Sequence, residues 1–225
     1  MSCNANIKNI LSHTDHTLLA ADATERDIMD VVDDGIKFGT ASVCIPSCYV
    51  KAAAERSGGR VKICTVIGFP LGYVPSEIKA HEAELAAQNG ADEIDMVANI
   101  GKIKSGEFDA VAEDIRAVRA ACRGKILKVI IECCLLTDAE MVEMCRVVAD
   151  CDADYIKTST GFSKGGATPH NVELLCKNVP AGLKVKAAGG ISSLEDAELY
   201  LSLGADRLGT SRIVKLASGL TGTGY

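Results

Sequence analysis

The chain has 225 residues, 48% of them hydrophobic, with 24 Lys and Arg against 30 Asp and Glu, a net charge of −6 and a pI near 5.3. No block of like charges stands out, which argues against a nucleic-acid or anionic-membrane surface and leaves room only for a local basic pocket. Ten cysteines in a chain this long, with no signal-peptide pattern at Met1-Ser2-Cys3-Asn4 and no membrane-length apolar run, read as reduced thiols of a cytoplasmic protein.

From the amino end, residues 1–12 read as a short helix, expected as a lid, and residues 13–18 as a first strand. Helix 24–38 has Thr24 as N-cap, with Asp27 three residues on in place of the usual Glu or Gln. Strands 41–45 and 61–67 follow. Helix 75–89 starts on Pro75 and stops before Gly90, the ordinary start and stop signals. Strand 93–97, helix 108–122, strand 126–132, helix 138–149 and strand 155–159 come next. Helix 169–178, strand 184–188, helix 192–203 and strand 207–209 complete the series. Asn89-Gly90-Ala91-Asp92 and Leu203-Gly204-Ala205-Asp206 are near-repeats of one helix-to-strand turn. Strict β–α alternation implies a parallel sheet. Eight units in about 200 residues favour a closed barrel over an open doubly wound sheet. The expected fold is therefore α/β, a single (β/α)8 TIM barrel over residues 1–225 with a short N-terminal helix. No G-x-G-x-x-G follows the first strand, which weakens a dinucleotide-binding alternative. The glycine-rich stretch 218–225 reads as a flexible tail.

Strand parity then sorts side chains. With Ile94, Met96, Ile156 and Val185 facing the helices, Asp95, Lys157 and Lys186 point into the barrel, as do Lys128 and Glu132. Barrel interiors are normally filled by branched apolar residues, and ionisable groups there are costly unless paired. One reading is a structural network in which Asp95 and Glu132 neutralise the lysines. The other is amine catalysis by Lys157 and Lys186 on adjacent strands. Only about 1 in 2,500 free lysines is neutral at pH 7, and a second ammonium together with desolvation favours the uncharged form. No C-x-x-C pair or His/Cys/carboxylate spacing suggests a metal, and no cofactor is expected.

The loops after the last strands carry Gly161, Gly165-Gly166, Gly189-Gly190 and Gly209-Thr210-Ser211-Arg212. Barrels often bind phosphate there through backbone N–H groups, although glycines also serve tight turns. His81 and His170 sit in helix patterns and are expected on the surface, and His16 is expected to serve structure.

The motifs as a set resemble the deoxyribose-phosphate aldolase family of class I aldolases, essentially end to end. They are Asp15-His16-Thr17-Leu18-Leu19, Val43-Cys44-Ile45-Pro46, Gly68-Phe69-Pro70, Glu93-Ile94-Asp95-Met96-Val97-Ala98-Asn99, Lys157-Thr158-Ser159-Thr160-Gly161-Phe162, Val185-Lys186-Ala187-Ala188-Gly189-Gly190 and Gly209-Thr210-Ser211. The resemblance implies metal-free, reversible cleavage of 2-deoxy-D-ribose 5-phosphate into acetaldehyde and D-glyceraldehyde 3-phosphate. It makes Lys157 the Schiff-base nucleophile, Asp95 the proton relay and Lys186 the neighbour that tunes the amine and joins the relay, with the imine drawing electrons as a bond placed at C3–C4 breaks. Asp15 is implied to position substrate hydroxyls, and Cys44 to lie near the aldehyde pocket. Substrate contacts are expected at Gly161, Gly189, Gly190, Gly209 and Ser211, and from Tyr225 at the end of the tail. Arg212 departs from a second serine common in the family, and Phe162 matches one branch where another has lysine. A phosphosugar is thus the expected partner, with a homo-oligomer, dimer or tetramer, as the expected assembly. A transaldolase-like enzyme, a phosphosugar isomerase and a silent ligand-binding barrel are the rival readings.

Overall fold

A computed structural model describes the backbone of residues 2–219 and the side chains of residues 6–219. Tyr225, expected to reach the substrate, lies outside the described residues, as does most of the 218–225 tail. Helix α1 (Ser2–Ser12) leads into β1 (Thr14–Thr17), α2 (Glu25–Phe38), β2 (Ser42–Ile45), α3 (Val50–Ser57) and β3 (Lys62–Ile67). The chain continues through α4 (Ser76–Gln88), β4 (Glu93–Val97), α5 (Ile100–Lys104), α6 (Phe108–Ala121), β5 (Ile126–Ile130) and α7 (Asp138–Ala149). It closes with β6 (Tyr155–Lys157), α8 (Pro169–Asn178), β7 (Lys184–Ala188), α9 (Leu194–Ser202), β8 (Arg207–Thr210) and α10 (Ile213–Ala217). The eight strands form one closed parallel barrel in sequence order. The expected fold class is the observed one.

Local chemistry sets the element ends. Thr24 caps α2 in a full capping box: its Oγ1 accepts from Asp27 N at 3.3 Å, and Asp27 Oδ2 accepts from Thr24 N at 2.8 Å. Asp is long enough here despite the usual Glu or Gln. The repeated Gly-Ala-Asp turns also share a cause. Gly90 and Gly204 take φ of 104° and 105°, which suits glycine, and the Asp that follows grips the start of a strand. Asp92 accepts from Ile63 N at 3.0 Å and Asp206 from Val185 N at 2.9 Å.

Three expectations change. The N-terminal helix is not a lid: Ile10 and Leu11 are buried, and α1 packs on the barrel's flank against α9 and α10. Its last turn meets the amino end of β1, where Thr14 Oγ1 donates to Ile10 O at 2.8 Å. The fifth strand stops at Ile130 rather than residue 132, because Glu132 turns to φ 52°. The short helices α3, α5 and α10 were not expected; at eight residues or fewer they carry too little periodicity to stand out.

Most apolar burial lies between strands and helices, as with Ile94, Met96, Leu127, Val129, Ile156 and Val185. His16 joins that layer. It is 3% exposed, and its Nδ1 has no hydrogen-bond partner among the described residues. Burial, aided by Lys215, pushes its pKa down from 6.5 to about 4. A depressed base is charged first in the unfolded chain, so the stability it lends is full above pH 6.5 and is lost as pH falls toward 4. Unfolding free energy is expected to drop by roughly 3 kcal/mol across that window. Urea titrations at pH 7 and pH 4 on wild type and His16→Asn check this; an equal drop in both proteins removes His16 as the cause.

Candidate active site

Register places the charges. Lys157 pairs directly with Lys186 across β6 and β7, Asp95 with Lys128 across β4 and β5, and Asp15 with Ser42 and Gly209 on either side of β1. All these side chains enter the barrel, and Asp95 stands at their centre. Its Oδ2 accepts from Lys157 Nζ at 2.8 Å and from Lys186 Nζ at 2.7 Å. Its Oδ1 accepts from Lys128 Nζ at 2.8 Å and from the Cys64 thiol at 3.2 Å. Deeper in the barrel, Lys128 meets Glu93 at 2.6 Å, and Arg207 Nη1 meets Asp15 at 2.6 Å and Glu93 at 3.1 Å. Arg207 also lies over the Tyr155 ring, 5.4 Å from its centroid.

The carboxylates shape the charge states. Burial alone would raise Asp95, but Lys128, Lys157 and Lys186 hold it well below the ordinary carboxylate range. Asp15 is held low in the same way by Lys186, Lys128 and Arg207 against its burial. Lys186 reverses an expectation. Burial favours its neutral form, yet Asp15 and Asp95 outweigh that and hold it above the ordinary lysine value. Lys186 is therefore held toward its ammonium form. Four cations (Lys128, Lys157, Lys186, Arg207) face three carboxylates (Asp15, Glu93, Asp95), so the cluster is neutral when one cation gives up its proton. Lys157 is the only one of the four that lines the mouth cavity.

That cavity, about 500 Å³, is walled by Thr17, Lys157, Thr160, Gly161, Phe162, Gly189, Gly190, Gly209, Ser211 and Arg212, among others. Five expected substrate contacts, Gly161, Gly189, Gly190, Gly209 and Ser211, thus share one space with Lys157. Glycine is required where a Cβ would collide: one on Gly166 would stand 2.4 Å from Gly189 O, and one on Gly209 would stand 2.9 Å from Ala188 Cβ. Lys164 is exposed and does not line the cavity.

Two further expected residues do not line that cavity, although the Cys44 sulfur lies within 4.8 Å of the Asp95 carboxylate. Asp15 is fully buried under the lysines, bound to Ser42, Lys186 and Arg207, so it holds the cluster instead of facing the cavity. Cys44 is fully buried in register with Cys64, packed with Val66, Leu19 and Phe69. Glu132 does not neutralise lysines; its carboxylate is bound to Thr160. His81 and His170 are exposed, as expected. Sequence spacing suggested no metal ligands, yet strand register gathers Cys44, Cys64 and Asp95, and likewise Asp15, Cys64 and Glu93, within 4.8 Å. The carboxylate oxygens in both groups already accept from lysine or arginine, so an added cation would meet buried positive charge.

Residues missed beforehand are Glu93, Arg207 and Cys64. Glu93 shares the parity of Asp95, and that signal was available. Arg207 opens a four-residue strand, too short for parity to be read against an apolar partner.

An eight-stranded barrel with one buried amine at its mouth, backed by a carboxylate and glycine-rich loops, defines a lysine-centred α/β-barrel enzyme. Residues 10–206 match the sequence model of the DeoC/LacD family aldolase, and the chain belongs to that family. It is 57% identical over 210 residues to a deoxyribose-phosphate aldolase of Streptococcus pyogenes serotype M4, covering 93% of this chain and 94% of that one. It is 56% identical over the same shares to one from Streptococcus agalactiae serotype Ia. Among solved structures, the tetrameric deoxyribose phosphate aldolase from Aeropyrum pernix superimposes with a TM-score of 0.87 at 35% identity, covering 95% of this chain and 91% of that one.

Proposed function

We propose that this chain is a class I aldolase that reversibly cleaves 2-deoxy-D-ribose 5-phosphate into acetaldehyde and D-glyceraldehyde 3-phosphate, without metal or organic cofactor. The observation that carries the mechanism is that Lys157 alone joins the charged cluster to the cavity. Its neutral amine attacks the C1 aldehyde, and loss of water with uptake of one proton leaves a protonated imine. Carbon balance corrects the bond expected from the resemblance. A two-carbon and a three-carbon product from a five-carbon sugar require the C2–C3 bond, not C3–C4. As the C3 hydroxyl gives up its proton, that bond's electrons move into the imine and leave an enamine. Proton return to C2 and hydrolysis then release acetaldehyde and restore Lys157.

Asp95, 2.8 Å from Lys157 Nζ, is the group placed to take and return protons, and Lys186 keeps its Oδ2 polarised. The glycine loops and Ser211 hold the phosphate end, with Arg212 lining the same space. The assembly is a homo-oligomer, dimer or tetramer, and the enzyme acts in the cytoplasm on products of deoxynucleoside breakdown. Among the described residues no helix is long and apolar enough to cross a membrane.

Purified protein given the phosphosugar is expected to release acetaldehyde, read by a coupled alcohol dehydrogenase, at a rate unchanged by EDTA. Conversion to a five-carbon keto isomer would favour the isomerase reading. A metal-reversible loss with EDTA would sink the imine mechanism.

A further inference from the structure

Glu132 is buried in the barrel end yet forms no ion pair among the described residues. It is 3% exposed and is one of two non-glycine residues, with Asp152, that take positive φ among the described residues. A side chain holds that conformation only where its surroundings fix it. What fixes Glu132 is Thr160: the carboxylate oxygens accept from Thr160 N at 3.3 and 3.4 Å and from its hydroxyl. With its proton committed to Glu132, the Thr160 oxygen turns its lone pairs the other way and accepts from Phe162 N at 3.0 Å. Thr160, Gly161 and Phe162 are three consecutive residues of the cavity wall. Gly161 takes φ 84° between them, so the wall has little rigidity of its own, and the Phe162 ring leans edge-on against Phe69 at 5.2 Å.

We propose that Glu132 is a positioning residue that acts through the Thr160 hydroxyl to set the 160–162 wall against the phosphate end of the substrate. This rests on the phosphosugar reading above. Among the described residues the carboxylate accepts, besides the wall, only from the Cys134 thiol, at 3.8 Å, and no hydrogen bond or ion pair joins it to Lys157, Lys186 or Asp95. Its removal therefore weakens recognition of the phosphate and leaves imine chemistry in place.

The test compares 2-deoxyribose 5-phosphate with unphosphorylated 2-deoxyribose in wild type, Glu132→Gly, Glu132→Gln and Thr160→Val. Glycine adopts φ 52° freely, so Glu132→Gly deletes the carboxylate while relieving the backbone. The kcat/KM preference for the phosphorylated sugar is expected to fall about tenfold in Glu132→Gly and Thr160→Val, mostly through KM, and about threefold in Glu132→Gln. Borohydride with acetaldehyde, which needs no phosphate, should still label Lys157 in each folded variant. Parallel losses on both sugars, or an unchanged preference, overturn the proposal. A wild type that neither cleaves the phosphosugar nor traps acetaldehyde overturns the functional reading instead, so the two failures are distinguishable.

Discussion

Lys157→Leu is expected to lower kcat/KM by a factor on the order of 10³ or more while leaving the fold intact. Covalent catalysis is lost with the amine, and only positioning remains. Stability should hold because Asp95 keeps three donors, Lys186, Lys128 and Cys64, after Lys157 is removed. The cluster also loses its surplus positive charge, leaving three cations for three carboxylates. Steady-state kinetics with a thermal melt checks both halves. A variant that retains a tenth of the activity would place the nucleophile elsewhere. One that melts far below wild type would make Lys157 a structural residue.

Lys186→Leu should act on both stability and rate. Lys186 is fully buried, 2.5 Å from Asp15 and 2.7 Å from Asp95. Removing one partner of a buried ionic network leaves uncompensated charge and costs about 3–5 kcal/mol. For a chain of this size that lowers Tm by on the order of 10 °C. The sign of the pH effect follows from Lys186 being held above the ordinary lysine value. Its charge, and the stability it lends, persist up to the unfolded lysine range near pH 10.4 and fade only as pH rises through the higher folded value. Across the working range it is thus a fixed positive charge. Without it the positive charge beside Lys157 and Asp95 is gone, so the variant should be weak at pH 7 and partly recover as pH rises. Lys186→Arg restores the charge but cannot release a proton. Recovery of the wild-type pH profile in the arginine variant, at whatever height, supports the charge role. An equal loss at every pH in Lys186→Leu contradicts it and favours direct proton transfer by Lys186.

Much of the barrel was legible because β–α alternation and strand parity are one-dimensional signals. Isoleucine and valine facing the helices reveal their inward neighbours, which is how Asp95, Lys128, Lys157 and Lys186 could be placed together. What stayed hidden depends on three dimensions. Asp15 reads like a residue at the mouth, but register sets it level with Ser42 and Gly209, beneath Lys186. Glu132 shares the parity of Lys128, yet its backbone leaves the strand and its carboxylate turns to the next loop. The fixed charge on Lys186 likewise depends on two carboxylates whose approach no spacing along the chain reports.

Lys157 is expected to be the amine that forms the imine. Wild-type enzyme incubated with acetaldehyde, reduced with borohydride, digested and mapped by mass spectrometry should carry one added ethyl group, on the peptide containing Lys157. An adduct on Lys186 or Lys128, or none in an enzyme that still cleaves the phosphosugar, would contradict it.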